Sequence, residues 1–205
     1  MYTLMPHRRA LVVSFLAVVF GVGASYRYLA GSTSSVSEAR SEPFSEYVDD
    51  AGNISFPYDY QTSFVHLGTF AVSKHDGPTD EVHGVYARQE DVEAYRRDGR
   101  FPDGAVLVKD VYETQSARLT TGNASWGTDL TIWFVMIKDA RGRFEGNELW
   151  GDGWGWALFD GKDPEKQIAT SYRADCRACH VPARKDDWIY VDGYPVLRGD
   201  ATGKR

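Results

Sequence analysis

Hydrophobic positions divide the chain into three zones. Ala10–Ala24 (ALVVSFLAVVFGVGA) is an almost unbroken apolar run, preceded by Arg8 and Arg9. A basic start followed by an apolar stretch is the grammar of an export signal, with Val22 and Ala24 placed to serve a cleavage site. The run continues weakly through Tyr26 and Tyr28 to Ala30, nearly the length that spans a hydrocarbon core of about 30 Å. Residues 1–30 therefore read as a cleaved signal or a retained membrane anchor. The two tyrosines resemble an interfacial belt and favour the anchor. In both cases the arginines keep the N-terminus inside and send the remainder across the membrane. Residues 31–52 follow, rich in Ser and Glu and poor in apolar side chains, the composition of a flexible polar linker.

From residue 53 to 205 the pattern is that of a folded domain. Phe64–Val72 and Val82–Ala87 are strand candidates, and Ser73–Glu81 (SKHDGPTDE) between them has the chemistry of a hairpin loop. Gln89–Arg97 predicts a short helix with Val92 and Tyr95 on one face, ended by Gly99. Phe101-Pro102-Asp103-Gly104 is a turn into a strand over Ala105–Thr114. Leu130–Lys138 (LTIWFVMIK) is apolar on both faces, as a central strand would be. Trp154–Phe159 predicts a last strand with Trp154, Trp156 and Leu158 on one side. The fold class is α+β, predominantly an antiparallel β-sheet with a few short helices.

Charge changes this picture little. The 23 basic and 29 acidic residues leave a net charge of −6, which argues against a nucleic-acid partner. One charged position does stand out. Leu107, Lys109 and Val111 share a strand face, so Lys109 sits among apolar neighbours, where an amine is costly unless paired or chemically altered. The plain alternative is a lysine at a sheet edge reaching water or a nearby acid. His83, inside a strand, reads as a packed or hydrogen-bonded histidine.

The chemistry concentrates near the C-terminus, at Cys176-Arg177-Ala178-Cys179-His180, which holds the only cysteines of the 205 residues. C-x-x-C-H is the attachment signature of a c-type haem: two thiols form thioethers with the vinyl groups and the histidine becomes the proximal iron ligand. A zinc site would need two further ligands at regular spacing, and His7, His66, His75 and His83 are scattered singly. One haem c, held by Cys176, Cys179 and His180, is therefore the expected cofactor. The export signal agrees, since such haems are attached on the far side of the membrane.

At this point the chain resembles the cytochrome P-460 family, which includes the cytochromes c′-beta. The likeness runs in order from Phe56-Pro57-x-x-Tyr60 through Val85-Tyr86-Ala87, Ala94-Tyr95, F-P-D-G-x-V-x-V-K (residues 101–109), Met136-x-Lys138-Asp139 and Trp154-Gly155 to C-R-A-C-H and Tyr194-Pro195-Val196. The resemblance implies a β-rich homodimer with one five-coordinate haem per subunit. It implies that Lys109 occupies the place of a lysine cross-linked to a porphyrin meso carbon in the hydroxylamine-oxidising members. In c′-beta relatives the equivalent lysine stays unlinked, phenylalanines cap the iron, and nitric oxide is bound. Here Phe64, Phe70, Phe134 and Phe159 are the candidates for such a cap.

One departure bears on the reaction. Competent members place a carboxylate over the haem from the segment before the first cysteine, but Ile168–Arg173 (IATSYR) contains no acid. Glu165 upstream is the candidate base, with Asp175 beside Cys176 the other nearby acid. Three functions follow. The first is hydroxylamine oxidation to nitric or nitrous oxide, with electrons passed to a soluble periplasmic acceptor. The second is nitric oxide binding without turnover, and the third is simple electron transfer. The last would want a methionine ligand downstream of the haem motif, yet the methionines are Met1, Met5 and Met136. The expected location is the periplasmic side of a bacterial inner membrane.

Overall fold

The computed structural model describes residues 44–198, which lie in one compact unit, Glu42–Arg205. The export or anchor segment, residues 1–30, lies outside the described residues. Among those described, no helix is long and apolar enough to cross a membrane.

Seven antiparallel strands form one sheet: β1 Val65–Val72, β2 Glu81–Ala87, β3 Val106–Leu119, β4 Gly122–Lys138, β5 Trp150–Gly151, β6 Trp154–Asp160 and β7 Asp163–Gln167. The spatial order is β1-β2-β3-β4-β6-β5, with β7 paired to the far end of β6. Among the described residues four short α-helices accompany it, besides 3-10 turns after the last: α1 Tyr60–Ser63, α2 Gln89–Asp98, α3 Tyr172–Asp175 and α4 Arg177–His180. The mostly antiparallel sheet with few helices agrees with the expected class.

The central strands are apolar on both faces because both faces are covered. On one side Val106, Val108, Val135, Ile137 and Phe159 pack under the N-terminal segment carrying Ile54, Phe56 and Tyr60. On the other, Leu107, Met136, Trp154 and Trp156 pack against Tyr172, Cys176, Ile189 and Tyr194 of the C-terminal segment. Each large side chain so buried contributes about 1.5–3 kcal/mol. Phe44, Tyr47 and Val48 also pack on the first of these clusters. The packed domain thus takes in residues from 44, inside the stretch expected as linker.

Helix α2 follows its sequence signals. Glu90 and Asp91 lie in its first turn and Arg96 and Arg97 in its last, complementing the helix dipole. Gly99 adopts φ 69° and its N–H bonds the Tyr95 carbonyl at 2.8 Å, a left-handed cap that a β-carbon would oppose. Asp91 is buried and accepts bonds from Arg88 Nε (3.0 Å) and the Val106 N–H (3.1 Å), tying the helix to the start of β3.

Two strand boundaries differ from expectation. β3 and β4 run on past Thr114 and before Leu130 to meet at Leu119↔Gly122. The extension is mostly exposed and polar, so it carries no apolar alternation to read; its ladder and a Ser116–Ser125 hydroxyl bond of 2.7 Å hold it. Strand β7 (DPEKQ) follows β6, which is therefore not the last strand, and its charged sequence gives no strand signal.

Asp110, adjacent to Lys109 on β3, points to the opposite face. Its carboxylate accepts from the Tyr60 hydroxyl (2.9 Å) and the Gly84 N–H (3.1 Å), and Tyr60 accepts from Trp133 Nε1 (3.0 Å). Burial raises the Asp110 pKa, with these bonds opposing. Asp110→Ala leaves two buried donors without an acceptor and is expected to cost about 2–3 kcal/mol in urea unfolding. Because the folded pKa is raised, the carboxyl supports folding at low pH and loses that contribution as pH rises through the folded value. The stability of Asp110→Asn relative to the parent should therefore improve as pH rises above about 4.

Candidate functional site

A cavity of about 610 Å³ lies between the sheet and the C-terminal segment, within the usual size range of small-molecule sites, about 300–1,000 Å³. Its sheet wall is set by strand register. Phe70 pairs with His83, Lys109 pairs with both Val85 and Phe134, and the Leu107–Met136–Trp156 row lies beside them. Alternation along each strand directs these side chains to one face.

The opposite wall is made by two one-turn helices. Ser171 caps α3 by accepting from the Ala174 N–H at 3.1 Å. Tyr172 stacks on Trp156, with centroids 4.9 Å apart and planes at 22°, and its hydroxyl bonds Asp152. Cys176 stands between the helices with φ −124°, and α4 follows directly. Residues 176, 179 and 180 are spaced i, i+3 and i+4, which places them on one side of a helical turn. All three line the cavity.

The ring of His180 is oriented by its backbone partner. Nδ1 lies 2.8 Å from the Trp188 carbonyl, which can only accept, so Nδ1 carries the proton and Nε2 holds the free lone pair. Trp156 meets the ring edge-on at 4.7 Å. Burial lowers the His180 pKa, the Trp188 bond raises it and Lys109 lowers it again, so the imidazole is neutral. The Trp188 carbonyl is in turn held by a loop whose Asp187 and Trp188 adopt φ 60° and 70°. Asp187 secures that geometry, accepting from Lys138 Nζ (2.5 Å) and the Phe101 N–H (3.0 Å), while its carbonyl accepts from Trp154 Nε1 (3.1 Å).

Lys109 stands on an interior strand, between β2 and β4, not at a sheet edge. Its Nζ lies 3.9 Å from the Phe134 ring centroid, and among the described residues no hydrogen bond or ion pair to it is formed. Burial lowers its pKa; Cys179, Cys176 and Glu81 oppose that. Burial also pushes the Cys176 thiol up to about 11, with Asp175 adding to the shift.

The other expected site residues separate. Phe70 and Phe134 line the cavity, whereas Phe64 and Phe159 belong to the cluster on the other sheet face. Glu165 does not reach the cavity: it is exposed on β7 and accepts the Tyr58 hydroxyl, because β7 folds back along the outer side of β6. Asp175 does line it. Its Oδ2, however, accepts from the Thr170 N–H (2.6 Å), the Thr170 hydroxyl (2.9 Å) and the Ser171 N–H (3.0 Å), and these backbone bonds lower its pKa. That carboxylate shapes the turn before Cys176 and makes a poor base. Among the lining residues that were not legible as such are Met136, on the Leu107–Trp156 row, and His83, hydrogen-bonded as expected yet facing the cavity. Only strand pairing brings β2 and β4 to the same cavity as a motif 90 residues downstream of β2.

The residues fit a haem. The volume is adequate, the lining is largely apolar, both thiols reach the cavity wall, and one imidazole offers an oriented lone pair. A cavity against a β-sheet carrying C-x-x-C-H on its opposite wall is the arrangement of a c-type cytochrome that is not a helical bundle. The family model described as Cytochrome P460 matches residues 57–191. The chain belongs to the cytochrome P460 family, and is a haem c-type cytochrome of that family. No curated protein matches the sequence.

Lys138 and Asp187 are both largely buried, so breaking their pair leaves an uncompensated ammonium. Asp187→Ala is expected to lose about 3–5 kcal/mol in chemical denaturation. Asp186→Ala, beside it but removing only a long contact of 3.8 Å to Lys185, should change stability by less than about 0.5 kcal/mol.

Proposed function

We propose that this chain is an exported mono-haem protein of the P-460 type, with an open iron face, that oxidises hydroxylamine to nitric or nitrous oxide. Cys176 and Cys179 would hold the haem through thioethers, and His180 would offer Nε2 to its iron. The bound haem supplies an iron that takes up small nitrogen compounds and exchanges electrons with them. Oxidation to nitric oxide releases three electrons and three protons, so a periplasmic redox partner and a proton acceptor are both required.

The observation that carries this reading is Lys109. A half-buried amine on an interior strand, lacking an ion pair among the described residues and facing the cavity between Phe134 and the cysteines, is expensive as a charged group. A bond from Nζ to a porphyrin meso carbon would replace one N–H and the meso C–H, a two-electron oxidation that draws on an external oxidant such as a peroxide; it would remove that cost and alter the electronics of the ring, as the family resemblance implies. The domain works as a homodimer on the periplasmic side of an inner membrane, held there or released according to the fate of residues 1–30.

A second reading, nitric oxide binding without turnover, is favoured by Phe70 and Phe134, which both face the cavity. Optical spectra separate the two. A strongly red-shifted Soret band in the reduced protein, returning to an ordinary high-spin position in Lys109→Leu, is expected for the cross-linked enzyme. Peptide mapping should then recover residue 109 only as its haem adduct. Unmodified Lys109 from haem-loaded protein would remove the cross-link. A six-coordinate, low-spin ferrous spectrum, as Met136 ligation would give, would remove the open iron face.

A further inference from the structure

Hydroxylamine has protons to lose, and neither acid near the haem motif is placed to take them: Glu165 is on the outer strand, and Asp175 is committed to the backbone of its own turn. The cavity nevertheless contains a third candidate. His83 on β2 shares the sheet face of Val85, the cross-strand partner of Lys109, and lines the same cavity.

Its hydrogen bonding has a direction. His83 Nε2 is 3.1 Å from Glu81 Oε2, and the other carboxylate oxygen, Oε1, is 2.5 Å from Lys74 Nζ. The Lys74 bond lowers the Glu81 pKa most, and His83 lowers it further, against the effect of burial. Glu81 is therefore an ionised acceptor, Nε2 of His83 carries the proton, and Nδ1 is left with the lone pair. His180 has the reverse arrangement, with its proton on Nδ1. The cavity thus offers one imidazole suited to bind a metal and another, on the sheet wall, backed by a carboxylate and suited to accept a proton.

We propose that His83, oriented and charge-balanced by Glu81, is the proton acceptor for hydroxylamine in this cavity, replacing the carboxylate that the segment before Cys176 lacks. The proton leaves the N–H or O–H of the substrate and binds Nδ1, giving an imidazolium whose Nε2–H remains on Glu81. This inference rests on the hydroxylamine-oxidising reading above.

The groups around His83 set its working range. Burial lowers its pKa, the bond it donates to Glu81 raises it, and Lys109 and Lys74 lower it. From β1 it faces the uncharged Phe70, while Cys179, Tyr190 and Tyr194 line the same cavity from the C-terminal segment. Burial, the leading influence, therefore favours the neutral imidazole that is able to accept a proton.

The test uses the haem-loaded, full-length ferric protein and two probes read by optical titration. Hydrogen cyanide must shed a proton to bind as an anion, whereas nitric oxide has none to shed. His83→Ala should weaken cyanide binding about ten- to a hundredfold at neutral pH, with nitric oxide affinity nearly unchanged. His83→Gln retains a donor to Glu81 without a basic nitrogen and should show the same loss, which guards against a folding defect in the alanine variant. Relative to the parent, Glu81→Gln should move the acid limb of cyanide binding to lower pH, because it removes the group that raises the His83 pKa. Unchanged cyanide affinity in both His83 variants would overturn the proposal while leaving the open-iron reading intact. A parent spectrum that is low-spin and becomes high-spin in His83→Ala would make His83 an iron ligand and overturn it too. A parent that binds neither probe would overturn both readings.

Discussion

Everything in this domain depends on a central antiparallel pair whose side chains are apolar in both directions. A sheet with two apolar faces has to be covered twice, and β3 and β4 accordingly recruit opposite ends of the chain. The N-terminal segment closes one face with Phe56 and Tyr60. The C-terminal segment closes the other, but with a row of aromatic side chains and a cavity in place of continuous packing. The functional site is thus the incompletely filled half of a core, which is why its walls are rigid and its polar groups few.

That origin explains the electrostatics. Any ionisable group on the cavity face inherits the low polarity of a core, so burial is the leading influence on Lys109, His83 and His180 alike. Each has a different remedy. His180 is neutral and donates to a backbone carbonyl. His83 is paired with an acid anchored from the loop between β1 and β2. Among the described residues, Lys109 has an aromatic face 3.9 Å away, with the two cysteines and Glu81 acting on it without a direct bond. A charge left that poorly compensated in a core marks chemistry more reliably than a hydrogen-bonded one.

The orientation of His180 shows how far such a site extends from its motif. Its ring is directed by the Trp188 carbonyl, and that carbonyl by a left-handed turn that Lys138, Phe101 and Trp154 hold through Asp187. Two strand ends and the turn before β3 therefore converge on one imidazole. Asp187 and Trp188 are non-glycine residues with positive φ, a local cost met by this convergence.

Local signals were legible wherever they acted locally. Apolar runs and alternation located the cores of β1, β2, β3, β4 and β6, Gly99 ended α2, and C-x-x-C-H marked the thiols and imidazole by spacing alone. The misplaced Lys109 was visible as a charge on an apolar strand face. Polar ladders were not legible: the outer β3–β4 hairpin and β7 are strands through backbone pairing, with no buried face to write a pattern. Nor could periodicity separate Phe70 and Phe134 from Phe64 and Phe159, because choosing between two apolar faces requires knowing what covers each. The chain by itself named the residues expected to carry haem chemistry, through the spacing and side-chain types of C-x-x-C-H. The tertiary structure alone decided which of them meet, because strand register, a non-local property, brings His83 and Lys109 to the cavity and sends Glu165 away from it.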